Sequence, residues 1–206
     1  MNVRGLFAVV LSIVLAPAGL SAQRIEITPF GGFQFGGNLR IQSGDLSVSS
    51  GLNYGLTFDI GFAPGGKIEF LYSRQKTDLE FEDGTTGADS TLFDMAVEFI
   101  HVGVVYEWDL EKVKPFVVLT GGVTRMVPQG VDRESRRWAS GIFGGGAKTF
   151  ISEQVGIKAQ GRLAFSLVRA GDELFCAPAI AGGCLVGLQR KLMAQGMLTG
   201  GVFVAF

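Results

Sequence analysis

Hydrophobicity in this chain alternates with period two over segment after segment, and that pattern restricts the fold more than any other feature. A β-strand turns successive side chains to opposite faces, so strict alternation specifies a sheet with one apolar and one polar surface. In the first segment Ile25, Ile27, Phe33 and Phe35 fall on one face and Glu26, Thr28 and Gln34 on the other. In the second, Leu52, Tyr54, Leu56, Phe58, Ile60 and Phe62 alternate with Asn53, Gly55, Thr57, Asp59 and Gly61. A third sets Ile68, Phe70 and Tyr72 against Glu69, Ser73 and Gln75, with Leu71 on the polar side. A later one sets Val155, Ile157, Ala159, Leu163 and Phe165 against Lys158, Gln160 and Arg162.

Four further segments run from Phe93 to Trp108, Lys114 to Arg125, Trp138 to Phe150 and Arg190 to Phe206, bringing the expected count to eight strands. The phase of the Phe93–Trp108 segment is open. Placing Glu98 on the polar face sends Met95, Val97, Phe99 and His101 to the apolar one and turns Ile100, Val102 and Val104 inward, unless a bulge resets the register. The Gly-rich fifth and sixth segments suit tight curvature.

Which two-faced sheet this is follows from composition and from the connections. The chain has 31 Gly and 17 Phe, only 18% charged residues and a mean hydropathy of +0.34, too apolar for an ordinary soluble domain. After Ala22 there is no apolar run long enough for a helical membrane span, which takes about 20 residues. A membrane protein without such helices must close its sheet into a barrel, because no unpaired backbone survives in lipid. The connections sort by parity. Asn38 to Gly51, Lys76 to Leu92, Met126 to Arg137 and Leu167 to Gln189 are long, whereas Ala63 to Gly66, Asp109 to Val113 and Ile151 to Gln154 are short. Long outer loops alternating with short periplasmic turns are the habit of an even-stranded membrane barrel with both termini in the periplasm. The competing fold, a soluble periplasmic sandwich, gives no reason for that sorting.

Residues 1–22 read as a secretory signal peptide, with basic Arg4, an apolar run from Leu6 to Leu15, Pro17 and small residues before Gln23. The barrel domain is then expected over 23–206. The alternative is an N-terminal membrane anchor. The net charge of −1 offers nothing for nucleic acid.

With the strands in place, the chain resembles the small outer-membrane β-barrel domains of the OmpA and OmpW type. The resemblance rests on Ile25-Glu26-Ile27-Thr28-Pro29-Phe30-Gly31-Gly32, Ile68-Glu69-Phe70-Leu71-Tyr72-Ser73-Arg74-Gln75, Lys114-Pro115-Phe116-Val117 and Val155-Gly156-Ile157-Lys158-Ala159-Gln160-Gly161-Arg162-Leu163. It also rests on the terminal phenylalanine. The resemblance implies a cell outer-membrane location in a Gram-negative-type bacterium. It further implies that Val202, Val204 and Phe206 form the signal read by the barrel-assembly machinery. Its motifs are strand patterns, which specify architecture better than activity.

An eight-stranded barrel is just wide enough for side chains to fill it, so Glu26, Asp59, Glu69, Lys158 and Arg162 are expected to meet in the lumen. A structural network is the first reading, and a narrow polar pathway for small solutes the second. Cys176 and Cys184 are expected to form a disulfide in the longest outer loop, against the alternative of two unpaired thiols. Asp78, Glu80, Glu82, Asp83 and Asp89 would charge the second outer loop. Arg133, Arg136 and Arg137, beside Arg125, are expected either to be solvated or to contact lipopolysaccharide phosphates.

His101 is the only histidine, so a Ser-His-Asp or zinc mechanism would have to use it. In the register that buries Glu98 it faces lipid, and the sequence does not align Ser73 or Ser140 with it. No catalytic residue, metal or cofactor is therefore assigned and the chain is read as not an enzyme, a lipid-modifying barrel being the outlying alternative. The leading function is a structural, surface-interacting outer-membrane barrel with a filled lumen, its partners being outer-membrane lipid, lipopolysaccharide and an extracellular partner of unspecified chemistry. The runner-up is a narrow channel or transporter for small or hydrophobic molecules, which requires an unfilled lumen or a lateral gap between strands.

Overall fold

A computed structural model describes residues 25–41, 44–83, 89–128, 135–168 and 191–206; for 38–41, 44–47, 78–83, 89–93, 128 and 191 it describes the backbone alone. The expected signal peptide, both cysteines and Arg133 lie outside the described residues. The strands are β1 (Ile25–Phe35), β2 (Asn38–Ile41), β3 (Gly44–Val48), β4 (Gly51–Ala63), β5 (Gly66–Asp83), β6 (Asp89–Glu107), β7 (Lys114–Pro128), β8 (Arg136–Phe150), β9 (Val155–Val168) and β10 (Lys191–Ala205).

Eight of these form the wall. Antiparallel pairing runs β5-β4-β1-β10-β9-β8-β7-β6, and β6 pairs back onto β5 to close the ring. Ring closure leaves no edge in the eight-stranded wall, which is what lets a sheet exist in lipid. The first and last strands are also tied at their ends, where Phe206 donates its backbone N–H to the Ile25 carbonyl at 2.9 Å. Strands β2 and β3 prolong the β1–β4 hairpin beyond the wall, and β3 pairs with the upper part of β5.

Two expected loops are therefore partly sheet. The 38–51 connection carries a hairpin, and the ladder between β5 and β6 continues through Glu80↔Thr91, Phe81↔Ser90 and Glu82↔Asp89, past a register shift at Leu79/Glu80. The expected acidic loop positions thus stand on strand backbone. The turns at the opposite end are short as expected. Pro64 and Gly65 join β4 to β5, and Gly65 takes φ of 75°, the left-handed value a turn with proline at its first corner requires of its second.

The wall is inside-out relative to a soluble domain. Polar Glu26, Asp59 and Glu69 are buried at 1%, 1% and 0% exposure, whereas Leu52, Leu119 and Leu198 are exposed at 76%, 63% and 57%. The outer surface carries aromatic residues towards both ends. Phe62, Tyr106, Trp108 and Phe206 lie near the turns, with Tyr106 and Trp108 edge to face at 5.1 Å, and Phe33, Phe35, Tyr54 and Tyr72 lie towards the loops. An apolar band between aromatic girdles is the surface of a transmembrane barrel. No described helix is long and apolar enough to cross a membrane. The chain crosses with strands.

The phase of β6 is the reverse of the expectation. His101 and Phe99 point into the lumen at 3% and 0% exposure, while Ile100, Val102 and Val104 are about half exposed on the outer wall. No bulge resets it, since β6 pairs without interruption with β7 from Met95 to Glu107. The mistake lies with Glu98, which belongs to the outer row and is covered there by its neighbours.

Narrowness shows at the inward glycines. A Cβ on Gly103 would strike the Leu119 carbonyl oxygen and lie 2.5 Å from the Thr120 Cα, whereas one on outward Gly121 meets nothing within 4 Å. Gly103→Ala should thus destabilise the barrel by about 2 kcal/mol or more, at the severe end of point substitutions, and Gly121→Ala should be near neutral. Urea unfolding in detergent micelles, followed by the heat-dependent gel shift of folded barrels, checks both.

Candidate functional site

The lumen is where this chain concentrates its charge. The strand register lines up three carboxylates, since Glu26 on β1 pairs with Asp59 on β4, which pairs with Glu69 on β5. On the wall formed by β8 and β9, Lys148 pairs with Lys158. Three adjacent anions would repel one another, and the cations of the other strands reach them across the lumen.

Two clusters result. In one, Lys148 Nζ lies 2.8 and 2.7 Å from the two Glu26 oxygens and 2.7 Å from Glu107 Oε1, and Lys67 Nζ lies 2.5 Å from Glu26 and 3.0 Å from Glu107. In the other, Arg162 grips Glu69 through two parallel bonds of 2.7 Å, and Lys158 Nζ stands 3.3 Å from Asp59 Oδ2 and 3.6 Å from Glu69 Oε2. Each cluster sets two cations against two carboxylates and is neutral, as burial requires. The five expected residues are all in the lumen, but Glu26 joins a different cluster from the other four. Lys67, Glu107 and Lys148 escaped sequence reasoning. Lys67 adjoins a turn, Glu107 lies on the strand whose phase was open, and Lys148 follows an alternation masked by glycines.

Aromatic rings close the turn end beneath these charges. Lys148 Nζ sits 5.2 Å from the centre of the Phe203 ring and Lys158 Nζ 4.9 Å from that of Phe116, both within cation–π range. Above them is a polar layer. His101 bonds Thr120 Oγ1 at 3.2 Å and Ser140 Oγ at 2.8 Å, and Asn53 Nδ2 donates to Gln34 and Ser73. His101 and Ser140 thus meet inside the barrel, contrary to the lipid-facing position expected for the histidine. Its other ring nitrogen meets Thr120 rather than a carboxylate. Among the described residues no group of three or more potential metal ligands occurs.

The loop-side half of the lumen carries an apolar cluster. Met95, Val97, Phe99, Met126, Trp138, Ile142, Met193 and Met197 pack into one cluster, each buried to 4% exposure or less. Towards β1, β4 and β10 the lining stays polar. The Thr28, Thr57 and Thr199 hydroxyls and both ends of the Gln195 amide are buried without a protein partner, the kind of group that ordered water satisfies.

A second charged group lies outside the ring. In register, Arg74, Glu98, Arg125 and Arg137 stand side by side on the outer faces of β5, β6, β7 and β8. Glu98 accepts from Arg74 Nη1 at 3.1 Å, Arg125 Nη1 at 3.4 Å and the Tyr72 hydroxyl at 3.3 Å, which is how a carboxylate on the outer wall comes to be only 5% exposed. Of the rim arginines expected from the sequence, Arg137 is exposed beside Arg125, while Arg136 stands opposite inward-facing Met126.

No protein-family model matches the chain, and no curated protein matches it by sequence. Solved structures match by fold. Neisserial surface protein A is similar with a TM-score of 0.59 at 13% identity, covering 88% of this chain and 97% of that one. The outer membrane protein OprG from Pseudomonas aeruginosa gives 0.55 at 14% identity, covering 90% and 96%. The outer membrane protein AlkL, solved in lipid bilayers, gives 0.53 at 13% identity, covering 93% and 94%. The likeness is one of fold: all share the closed eight-stranded barrel.

Removing one partner from a buried cluster strands the other. Glu69→Ala leaves Arg162 and Lys158 facing each other and should cost about 3 to 5 kcal/mol. A double replacement, Glu69→Met with Arg162→Met, should recover most of that loss. Equilibrium unfolding of both variants in the same detergent distinguishes a structural network from one whose members act separately.

Proposed function

We propose that this chain is an exported, structural barrel of the bacterial outer membrane that does not conduct, and that it works through the surface it presents to lipid headgroups and extracellular partners. The observation that carries the reading is the filling of the lumen. Two neutral ion clusters reach from wall to wall, and the Met95–Phe99–Met126–Trp138 cluster packs the half above them. Transport through the barrel would need an open bore, and lateral escape would need a break in the wall; the pairings around the ring are continuous over the described strands. The solved barrels of similar fold support the outer-membrane location.

With residues 1–22 removed as a signal peptide, both termini would lie in the periplasm at the end of the short turns. Val202 and Phe206 are exposed on the outer wall at 50% and 70%, and Val204 is half-buried on the same face, available to assembly machinery that reads an alternating apolar terminus. Cys176 and Cys184 would close a loop on the opposite side, contributing roughly 2 to 3 kcal/mol in the chain-entropy model.

A second reading, a narrow path for water-sized polar solutes, draws on the unpartnered Thr28, Thr57, Gln195 and Thr199 along one side of the lumen. Planar-bilayer recording separates the two. The structural reading expects a silent membrane after insertion of folded protein, and discrete conductance steps in reconstituted wild type would end it. The assembly role of the terminus is tested in cells, where deleting Phe206 should lower the amount of folded protein in the outer membrane several-fold while leaving refolding from urea into micelles unchanged.

A further inference from the structure

The outer row Arg74–Glu98–Arg125–Arg137 stands at the top of a wall that is apolar below it. A basic side chain facing lipid costs about 2 to 4 kcal/mol at the bilayer midplane and about 0 to 1 near its surface, so the row marks the membrane boundary on this side. Below it the lipid-facing positions are Tyr72, Phe70 and Ile68 on β5, Ile100, Val102 and Val104 on β6, and Val123, Gly121 and Leu119 on β7. Among the described residues, strands β9, β10, β1 and β4 carry no counterpart, their outer faces staying apolar as far as Leu167, Leu192, Phe35 and Leu52.

The row is also unbalanced. Within the row, among the described residues, three guanidinium groups stand with one carboxylate, an excess of two positive charges, where each lumen cluster is neutral. Glu98 is used up in holding Arg74 and Arg125 in position, and Arg125 is fixed further by its Nε bond to Ser135 Oγ at 3.2 Å. The side chains of Arg74 and Arg125 remain 30% and 34% exposed, and Arg137 stands exposed next to Arg125. A pre-positioned, partly exposed set of guanidiniums fits the tetrahedral dianion of a phosphate ester through paired N–H donors.

What lies directly beneath identifies the rest of the ligand. Going down from the Arg125–Arg137 pair, the outward pairs of β7 and β8 are Val123 with Ala139, Gly121 with Gly141, Leu119 with Phe143, and Val117 with Gly145. A Cβ at Gly121 would touch nothing within 4 Å, and one at Gly141 only the Thr120 carbonyl at 3.8 Å, so these glycines are not demanded by packing within the wall. They leave a smooth channel beside the stacked rings of Phe143 and Phe165, 5.9 Å apart and 4° from parallel. Past Phe143 the channel opens into a groove of about 650 Å³ floored by Gly145 and Gly161 and flanked by Val117, Leu163 and Leu198. One leaflet of hydrocarbon, about 15 Å deep, equals about six residues of a strand tilted 35 to 45°. A chain leaving Arg137 would therefore run over Ala139 and Gly141 to Phe143.

We propose that the outer wall of β5–β8 holds a phosphate-bearing, multiply acylated lipid, its phosphate on Arg74, Arg125 and Arg137 and an acyl chain laid over Gly121 and Gly141 as far as Phe143, at the mouth of the groove. The proposal rests on the membrane placement of the barrel, and it assigns the lipid partner a defined site on the wall rather than a diffuse contact with the loops. Bilayer conductance plays no part in it, so its failure and that of the non-conducting reading are told apart.

Native mass spectrometry of the folded protein released from micelles, with added lipid A and with dephosphorylated lipid A, tests it. Wild type should retain one lipid A in preference to the dephosphorylated form by at least tenfold. Arg125→Ala with Arg137→Ala should remove that preference, and Gly121→Leu, which faces open space and so leaves the wall intact, should weaken retention about tenfold with both phosphates present. Each variant is first shown to be folded by its heat-dependent gel shift. Equal retention by the double arginine variant would overturn the proposal. So would full retention by Gly121→Leu, or displacement of lipid A by millimolar inorganic phosphate, either of which would reduce the site to an anion contact without an acyl channel.

Discussion

Closing eight strands into a ring creates an interior just wide enough for side chains to fill, and the rest of this molecule answers that constraint. Because the register sets Glu26, Asp59 and Glu69 side by side, the interior acquires three adjacent anions that the backbone alone cannot tolerate. Lys148, Lys158 and Arg162 resolve this from the far side of the lumen, through contacts separated by 122, 99 and 93 residues in sequence. Such contacts form only when the first and last strands have met. The ion clusters therefore reward the closed ring specifically, as backbone pairing between neighbouring hairpins does not.

Much of this is legible in the sequence because period two admits little compromise. Slipping Leu52–Phe62 by one residue would put six large apolar side chains in the lumen and Asp59 in lipid, so its phase is unambiguous. The strand from Phe93 to Trp108 misled for a reason that is also physical. The rule that a charge on a membrane strand faces inward assumes that the charge is alone, and Glu98 has an arginine on each adjoining strand. Strand pairing, which no single strand reveals, supplies those neighbours. Once Glu98 is released from the lumen, His101 moves inward, beside Thr120 and Ser140. The acidic stretch after Lys76 was misread as loop for a related reason. Exposed strand positions beyond the bilayer need no apolar face, so the alternation fades although the ladder continues.

The interior also changes character along its length. Charges and aromatic rings occupy the turn end, and methionine, phenylalanine and tryptophan occupy the loop end. The apolar cluster there packs against polar Gln34, Gln75, Thr124 and Gln195, which are buried at the same level.

Inside and outside, the molecule uses the same device with different completeness. In the lumen every guanidinium or ammonium group of the two clusters has its carboxylate, since no other anion can reach it. On the outer wall Glu98 serves two arginines and Arg137 stands exposed beside them. A surplus of positive charge at the edge of a hydrocarbon layer persists only where something from the membrane or the solvent compensates it. The smooth glycine surface leading down from that edge favours a compensating anion with a tail, since a bare ion would gain nothing from Gly121 and Gly141, and side chains larger than hydrogen would otherwise fit there at no steric cost.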